Sequence, residues 1–261
     1  MAYKTLVVEQ ANRVLTVTLN RPDVHNAFND ELIAEAIEVF STIDPAVREV
    51  VLRGEGQTFC AGADLGWMSR MVSYTREQNI RDSSQLARMY ALIDECPVPV
   101  IGRIHGAAIG GGVGLVAVCD IAIAMPSSKF GLSEVKLGII PAVISPYVIG
   151  KIGPGQARAL FLTGERFGGE QALRIGLVHK LGESIDELDS LVAQTIEQLR
   201  SSGPEAVRES KKLIAFVVEN DRTETIPYTI DAIATRRVSE EGQAGMQAFL
   251  RKEKAPWASE D

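Results

Sequence analysis

The run Gly110-Gly111-Gly112-Val113-Gly114 is the segment of this chain best suited to chemistry. It follows an apolar stretch typical of a buried strand and precedes another that is typical of a buried helix. Consecutive glycines leave backbone N–H groups unshielded by any Cβ, and a helix that begins here adds the positive end of its dipole. Such a turn can hold an anion, or an oxygen that becomes anionic during a reaction. Close packing of the helix against the strand explains the glycines equally well.

A second loop of small residues, Cys60-Ala61-Gly62-Ala63-Asp64, also follows a strand-like run. Its alanines and glycine expose their backbone N–H groups almost as well as consecutive glycines do. In isolation, an ordinary tight turn is the simpler interpretation. If the two loops converge, however, Ala63 and Gly111 can supply two N–H donors to one oxygen. Two such donors form an oxyanion hole, in which each donor stabilises the transition state by about 3–4 kcal/mol.

Glu134 is the candidate acid/base group. It follows the strand-like segment Lys129-Phe130-Gly131 and precedes an apolar segment in which Lys136 is the nearby cation. Because a carboxylate in an apolar pocket has a raised pKa, such a group can transfer protons near neutral pH. General acid–base catalysis typically contributes a factor of about 10²–10⁴. On local sequence alone, a surface glutamate or a charge at a helix N-terminus is the favoured interpretation.

Strands and helices alternate in the first half of the chain, which predicts an α/β fold with right-handed crossovers. Strands are predicted at residues 6–8, 14–19, 49–53, 98–104 and 121–124, with a turn at 10–13, and helices from about 29, at 77–94 and at 112–118. From about residue 156 the pattern becomes helical, with helices predicted at 186–200, 204–219, 223–238 and 240–254.

Composition fits a globular protein with a sizeable core, because 46% of the 261 residues are hydrophobic and 23% are charged. The net charge of −7 argues against nucleic acid or an anionic membrane as the main partner. The N-terminal segment lacks signal-peptide features, and the longest uncharged apolar run, of about 14 residues, is too short to span a bilayer. Three cysteines without CxxC spacing predict reduced thiols and a cytoplasmic location. Three widely spaced histidines argue against a metal site, so we expect none.

Several segments, in fixed order and spacing, carry a resemblance to a known family. They are Asn20-Arg21-Pro22 with Asn26-Ala27, Cys60-Ala61-Gly62-Ala63-Asp64-Leu65, residues 104–112, Cys119-Asp120-Ile121, residues 130–141, residues 162–167 and residues 241–250. Together they resemble the crotonase (enoyl-CoA hydratase/isomerase) superfamily over almost the whole length. The resemblance implies a crotonase-like spiral of ββα repeats with a helical C-terminal trimerisation region. We expect residues 1–200 to form the spiral core with the acyl-CoA site, and residues 201–261 the oligomerisation region.

The resemblance also implies an acyl-CoA thioester substrate, no cofactor, and a homotrimer or a homohexamer built as a dimer of trimers. The thioester oxygen would lie between the N–H groups of Ala63 and Gly111, with Glu134 as the acid/base. The residues expected to contact CoA are Asn26, Ala27, Ala61, Gly62, Ala63, Asp64, Leu65, Gly111, Lys252 and Lys254. A solvated charged tail explains the two lysines equally well. The weaker candidates for the acyl pocket are Trp67, Met68, Gly114, Ser145 and Tyr147. His105, Asp64 and Asp120 are expected to brace loops.

Gly114 is where the chain departs from the family pattern, since many hydratases of the family carry a second glutamate there. One carboxylate suffices for a 1,3-proton shuttle, as in Δ3,Δ2-enoyl-CoA isomerisation. It can also hold a water, deliver its hydroxyl to the β-carbon and protonate the α-carbon on the same face. Residues 110–115, 132–138 and 140–147 are similar to bacterial methylglutaconyl-CoA hydratases of leucine breakdown and to relatives acting on isohexenylglutaconyl-CoA in terpenoid breakdown. The resemblance therefore favours hydration of a branched glutaconyl-type enoyl-CoA.

Other classes are weaker interpretations. The third glycine of GxGxxG is replaced by Leu115, and neither a P-loop nor a GxSxG elbow occurs. One hydratase of the superfamily has been associated with RNA binding, but the acidic balance and the lack of a basic stripe with aromatics oppose that role. An inactive scaffold is the structural alternative, which the intact loops and Glu134 disfavour.

Overall fold

A computed structural model describes residues 3–259 of the chain. The strands are β1 Leu6–Ala11, β2 Val14–Leu19, β3 Glu49–Gly54, β4 Val100–Ile104, β5 Ala107–Ile109, β6 Ile121–Ala124, β7 Lys129–Gly131, β8 Arg166–Gly168 and β9 Lys180–Leu181. The helices are α1 Asp30–Ser41, α2 Leu65–Met71, α3 Arg76–Asp94, α4 Gly111–Ala117, α5 Ser145–Thr163, α6 Gly169–Arg174, α7 Ile185–Arg200, α8 Pro204–Glu219, α9 Arg222–Val238 and α10 Glu240–Arg251. Short 3₁₀ turns cover Pro22–Val24, Glu134–Leu137 and Pro256–Ser259.

The larger sheet has six strands in the order β1-β2-β3-β4-β6-β9, and all of its pairs are parallel except β1–β2. The central strands are rich in buried Val, Leu and Ile, as parallel strands covered on both faces require. β1 and β2 form a hairpin whose two turn residues, Asn12 and Arg13, both have positive φ. The turn therefore occupies these two residues alone, and β1 continues to Ala11 rather than ending near residue 8 as predicted.

The smaller sheet positions the two chemical segments. Its order is β5-β7-β8, and β5 and β7 run parallel, with Ile109 opposite Gly131. Parallel strands place their carboxyl ends at the same edge of a sheet. The glycine turn leaves the end of β5 and the Glu134 segment follows β7, so this pairing brings together residues that are distant in sequence.

Helix α3 contributes to the core only through its C-terminal half. A capping box between Thr75 and Gln78 starts the helix, which begins one residue before the predicted position. Its first turns are exposed, whereas Met89, Tyr90 and Ile93 are at most 1% exposed. Each fully buried side chain of this size stabilises the fold by roughly 1.5–3 kcal/mol. Their burial places Tyr90 close to the glycine turn.

The helical half differs from the sequence prediction at two boundaries. α5 begins at Ser145, well before residue 156, and contains a kink at Gly153, whose φ of 72° lies outside the helical region and which precedes Pro154. α10 ends at Arg251 rather than at residue 254, because Lys252 adopts the left-handed conformation that terminates helices. The short elements α2, α6, β8 and β9 carry too few residues for a periodic pattern and are missed by the sequence analysis.

The chain divides into two compact units, one of residues 3–96 with 100–192 and one of residues 97–99 with 193–259. The division falls after Val192, within α7, whereas the sequence analysis expected it after residue 200. The reason is that the first turns of α7 belong to the first unit, where Leu188 and Val192 are buried. The second unit contains α8, α9 and α10. Within residues 3–259, no helix is both long and apolar enough to cross a membrane.

Candidate active site

The two small-residue loops are in direct contact. Cys60 forms a bridge with Ala108 of β5, and a Cβ built on Gly62 would lie only 2.6 Å from Ile109 O and 3.7 Å from Gly111 N. A Cβ on Gly112 would overlap the carbonyl of Cys60. Close backbone packing and exposed N–H groups are therefore two properties of the same glycine run.

Two backbone N–H groups remain free where these loops meet. The neighbouring groups are bonded: Asp64 N–H donates to Phe28 O at 3.0 Å, and Gly110 N–H donates to Gly131 O at 2.7 Å. Across residues 3–259, neither Ala63 N–H nor Gly111 N–H has a backbone acceptor. Gly110 adopts φ 53° and ψ −119°, a backbone conformation that essentially only glycine tolerates.

Glu134 begins the 3₁₀ turn that follows β7, beside the glycine turn. Its Oε1 would lie 3.1 Å from a Cβ placed on Gly110, so a side chain at that position would crowd this carboxylate. Its Oε2 is buried and has no hydrogen-bond partner among residues 3–259. Burial raises the pKa of Glu134, and the hydrogen bond from its own backbone N–H opposes the shift only in part. The predicted direction of the pKa shift is thus confirmed.

Lys136, the nearest cation in the sequence, points to another part of the fold. A Cβ on Gly164, which caps the end of α5, would lie 3.1 Å from Lys136 Cε. No cation contributes to the pKa shift of Glu134. The carboxyl group is therefore kept basic by its apolar surroundings.

The space beside Gly114 is filled. A Cβ at this position would overlap Ile144 Cγ2 and would lie 3.0 Å from Tyr90 Cε1. Gly114 is itself buried in α4, so it does not line an open cavity. A second carboxylate has no room here, and the two side chains that exclude it, Ile144 and Tyr90, are missed by the sequence analysis.

Arg21 links Ala27 to Asp64, at the end of the small-residue loop of residues 60–64. Its guanidinium donates to Ala27 O and forms an ion pair with Asp64, with Nη2 3.0 Å from Oδ2. Asp64 also caps α2 by accepting from Trp67 N–H at 3.0 Å. Burial raises the pKa of Asp64, but these donors outweigh it and hold that pKa below its ordinary value. The prediction that Asp64 braces a loop is confirmed.

Asn26 connects the turn at residues 21–26 to the segment at residues 55–58. It is fully buried and has a φ of 55°. Its Oδ1 accepts from Arg21 N–H, and its Nδ2 donates to the carbonyls of Glu55 and Thr58. Its side chain therefore has no exposed surface for a CoA contact. Ala27 is 6% exposed.

The other predicted ligand-binding residues have different environments. Leu65 is 83% exposed at the start of α2, and Ala61 and Met68 are half-buried. Trp67 lies in the core, where its ring packs edge-on against Phe28 at 5.8 Å and its Nε1 donates to Asp82. Trp67 is 2% exposed, so it supports the loop from behind rather than offering a surface.

Ser145 and Tyr147 use their hydroxyl groups away from Glu134. Ser145 Oγ donates to Ala142 O at 2.7 Å. Burial and the nearby carboxylates of Asp94 and Glu95 raise the pKa of Tyr147. These contacts favour a role in packing for both residues. Lys252 and Lys254 are exposed at the end of α10, in the second compact unit.

Two further residues predicted to be structural are confirmed in that role. His105 Nε2 lies 2.8 Å from Gly56 O, and its Nδ1 lies 3.2 Å from Nη1 of Arg103. Asp120 Oδ2 accepts from Val100 N–H at 2.7 Å. Each side chain satisfies backbone groups at the end of a strand.

The chain is similar over nearly its whole length to known proteins. The family model described as enoyl-CoA hydratase/isomerase matches residues 9–260. A crotonyl-CoA hydratase from Syntrophomonas wolfei is 32% identical, over 99% of this chain and 100% of that protein. A short-chain-enoyl-CoA hydratase from Clostridium acetobutylicum is 31% identical, over 97% of each chain.

Solved structures agree with these matches. The structure of an enoyl-CoA hydratase from Shewanella pealeana has a TM-score of 0.93 at 38% identity and covers 98% of this chain and 96% of that one. AtuE from Pseudomonas aeruginosa has a TM-score of 0.95 at 36% identity and covers 98% and 100%. The protein belongs to the enoyl-CoA hydratase/isomerase family, so the family resemblance and the predicted crotonase-like fold are confirmed. The names of the relatives support the prediction of an enoyl-CoA hydratase.

Proposed function

We propose that the protein is an enoyl-CoA hydratase that adds water across the α,β double bond of an enoyl-CoA thioester. The observation that carries this proposal is the position of Glu134. Its buried Oε2 has no partner, and it lies beside a turn whose Gly111 N–H is also free. A buried acceptor and a free donor at one place are suited to a substrate that supplies the missing hydrogen-bond partners.

The thioester oxygen is proposed to accept hydrogen bonds from Ala63 N–H and Gly111 N–H. Addition of hydroxide to the β-carbon moves the double-bond electrons to the α-carbon and the thioester, and the oxygen becomes an enolate oxygen. Donors that are held in place before the reaction stabilise that charge without reorganisation. The packing of residues 60–63 against residues 109–112 supports such preorganisation.

Glu134 is proposed to act first as a base and then as an acid. Its ionised carboxylate takes a proton from water while the water oxygen bonds to the β-carbon. The same carboxyl group then donates that proton to the α-carbon, which discharges the enolate and restores the carboxylate. The raised pKa supports the first step, because it makes the carboxylate more basic. The second step is supported by position, because the acid formed in the first step lies beside the enolate that takes its proton. The hydroxyl and the proton are added to the same face.

The filled space at Gly114 supports a mechanism with one carboxylate. The same observation favours a second candidate, Δ3,Δ2-enoyl-CoA isomerisation. In that reaction Glu134 removes the α-proton of a 3-enoyl thioester, the oxyanion donors hold the dienolate, and the acid returns the proton to the γ-carbon. The two reactions share their residues and differ in whether a water is held beside Glu134.

A branched glutaconyl-type thioester is the proposed substrate, with a place in leucine or terpenoid breakdown. Support comes from the residues around the glycine run and Glu134 that are similar to methylglutaconyl-CoA hydratases. Such substrates carry a second carboxylate, which requires a cation or several donors. No cation among the described residues contributes to the pKa shift of Glu134, so the group that binds this second carboxylate is proposed to lie away from Glu134, at the far end of the acyl chain.

The CoA moiety is proposed to contact the loop at residues 61–65 and Ala27. The exposed lysines Lys252 and Lys254 are proposed to bind the CoA phosphates of a neighbouring subunit. A homotrimer or a dimer of trimers is proposed as the assembly. Supporting it, α8, α9 and α10 expose large apolar side chains, including Ile214, Val218, Ile230, Phe249 and Leu250. Such surfaces typically mark an interface. Sedimentation velocity tests this assembly, and a monomer would contradict it.

Product analysis with crotonyl-CoA, a 3-enoyl-CoA and methylglutaconyl-CoA tests the reaction. Hydration adds the mass of one water, whereas isomerisation leaves the mass unchanged and moves the double bond. We expect 3-hydroxyacyl products, with the highest kcat/KM for methylglutaconyl-CoA. Conversion of the 3-enoyl-CoA alone would establish the isomerase, and no conversion of any thioester would leave the scaffold interpretation.

A further inference from the structure

Tyr90 is a buried polar residue that the mechanism above does not use. It lies on α3, is fully buried, and donates from its hydroxyl to Gly111 O at 2.7 Å. Cβ atoms built on Gly111 and Gly114 would lie 2.8 Å from its hydroxyl oxygen and 3.0 Å from its ring, respectively. The side chain therefore contacts the glycine run at both residues.

Gly111 N–H belongs to the Gly110–Gly111 peptide, whose carbonyl accepts from Val113 N–H at 2.9 Å, and the hydrogen bond of Tyr90 completes the restraint of the two peptides that flank it. On one side, Gly110 N–H donates to Gly131 O, which anchors the turn to β7. On the other side, the Tyr90 hydroxyl fixes the carbonyl of Gly111. α4 has only seven residues, and a helix this short has little stability of its own. External anchors are therefore needed to fix the direction of Gly111 N–H.

We propose that Tyr90 is a positioning residue. Its hydroxyl holds the Gly111–Gly112 peptide and so fixes the backbone at Gly111, which keeps Gly111 N–H pointing at the thioester oxygen. This inference rests on the proposed enoyl-CoA chemistry, in which Gly111 N–H is an oxyanion donor. Tyr90 touches the protein's own backbone rather than the substrate, so it acts through Gly111.

The environment keeps the Tyr90 hydroxyl a donor. Burial, together with the nearby Cys60 and Glu134, raises the pKa of Tyr90 well above its ordinary value. The phenol therefore stays protonated throughout the working range of the carboxylate. The aromatic ring has a separate role in packing, since it lies 6.0 Å from the ring of Tyr147.

The substitution Tyr90→Phe separates the two roles, because it keeps the ring and removes the hydroxyl. Tyr3→Phe is the matched control, since the Tyr3 hydroxyl donates to the exposed side chain of Glu38. We expect Tyr90→Phe to lower kcat about three- to ten-fold, equivalent to about 0.6–1.4 kcal/mol, with KM changed by less than about two-fold. Tyr3→Phe is expected to change neither. Loss of thermal stability with unchanged kcat per folded molecule would assign Tyr90 to packing and overturn the proposal.

A binding measurement makes the test independent of turnover. The probe is para-(dimethylamino)cinnamoyl-CoA, whose absorption moves to longer wavelength when its carbonyl oxygen accepts hydrogen bonds. We expect a red shift on binding to the wild-type protein and a smaller one on binding to Tyr90→Phe at saturation. An equal shift in the two proteins would overturn the role of Tyr90 even if hydration occurs. No shift with the wild-type protein would overturn both this inference and the proposed oxyanion donors.

Discussion

Replacement of Glu134 by glutamine is the most informative single perturbation of this site. The amide has nearly the same size and shape as the carboxyl group but cannot take a proton from water. It leaves the backbone of Ala63 and Gly111 unchanged, so the proposed oxyanion donors and the proposed CoA contacts are retained. Glu134→Gln should therefore lower kcat strongly and leave the affinity for a CoA thioester within about two-fold.

The size of the loss follows from the absence of a substitute carboxylate. Ile144 and Tyr90 occupy the space beside Gly114, and Oε2 of Glu134 has no other group to share its proton. With both proton transfers lost, kcat should fall about 10³–10⁴-fold, the upper part of the range for general acid–base catalysis. That factor corresponds to about 4–5.5 kcal/mol.

Stability gives a second, opposite signature. Folding raises the pKa of Glu134, so the protonated side chain favours the folded state, and its contribution to the free energy of unfolding is complete below the unfolded-state pKa. It is lost as the pH rises through the folded-state pKa. A neutral glutamine removes that loss, so the thermal midpoint of Glu134→Gln at neutral pH should equal or exceed that of the wild-type protein.

The assay follows the loss of enoyl-thioester absorbance, with product identity checked by mass. Glu9→Gln, an exposed glutamate of β1, is the control and should behave as the wild-type protein. Retention of more than about a tenth of wild-type kcat by Glu134→Gln would refute the assignment of this residue as the acid/base group.

Three further predictions test the surroundings of the site. The acid limb of kcat/KM should lie above the ordinary pKa of glutamate, because burial raises the pKa of Glu134 and protonation removes the base; a rate that is constant down to about pH 4.3 would contradict this. Gly114→Glu should lower the unfolding midpoint and abolish activity, and the added substitution Ile144→Ala should restore part of the stability; a stable single variant would show that the space is open. Burial and Arg103 lower the pKa of His105 in the folded protein, so the stability that its neutral form contributes is full above the unfolded-state pKa of about 6.5 and is lost as the pH falls. The urea midpoint should therefore decline less on acidification in His105→Gln than in the wild-type protein. An equal decline of the two midpoints would show that His105 does not contribute to the acid sensitivity.

The fold was largely accessible from the sequence where hydrophobic periodicity is long. The parallel strands β2, β3, β4 and β6 of the large sheet and the helices α7 to α9 follow directly from their apolar pattern. The short strands β5, β7 and β8 pair through the backbone of residues far apart in the chain, and their pairing leaves almost no local signal. The start of α5 was equally hidden, because Gly153 and Pro154 interrupt its periodicity.

The chemical groups of the site were accessible for a different reason. Small residues after a strand indicate backbone N–H groups that a ligand can approach, and the family resemblance favoured Glu134 as the acid/base over a surface glutamate. The groups that position them were not accessible. Arg21 and Tyr90 act through hydrogen bonds across 43 and 21 positions of the chain, respectively. Ile144 gives no chemical signal, since its effect is to occupy the space that a second carboxylate would need.

Hydration of crotonyl-CoA in D₂O tests the central claim most directly. If Glu134 passes the deuteron that it takes from water to the α-carbon, the hydroxyl and the deuterium must be added to the same face. Proton NMR of the 3-hydroxyacyl product gives the relative configuration at the two carbons. The proposed mechanism predicts a single product of syn addition, and anti addition or a mixture at the α-carbon would contradict it.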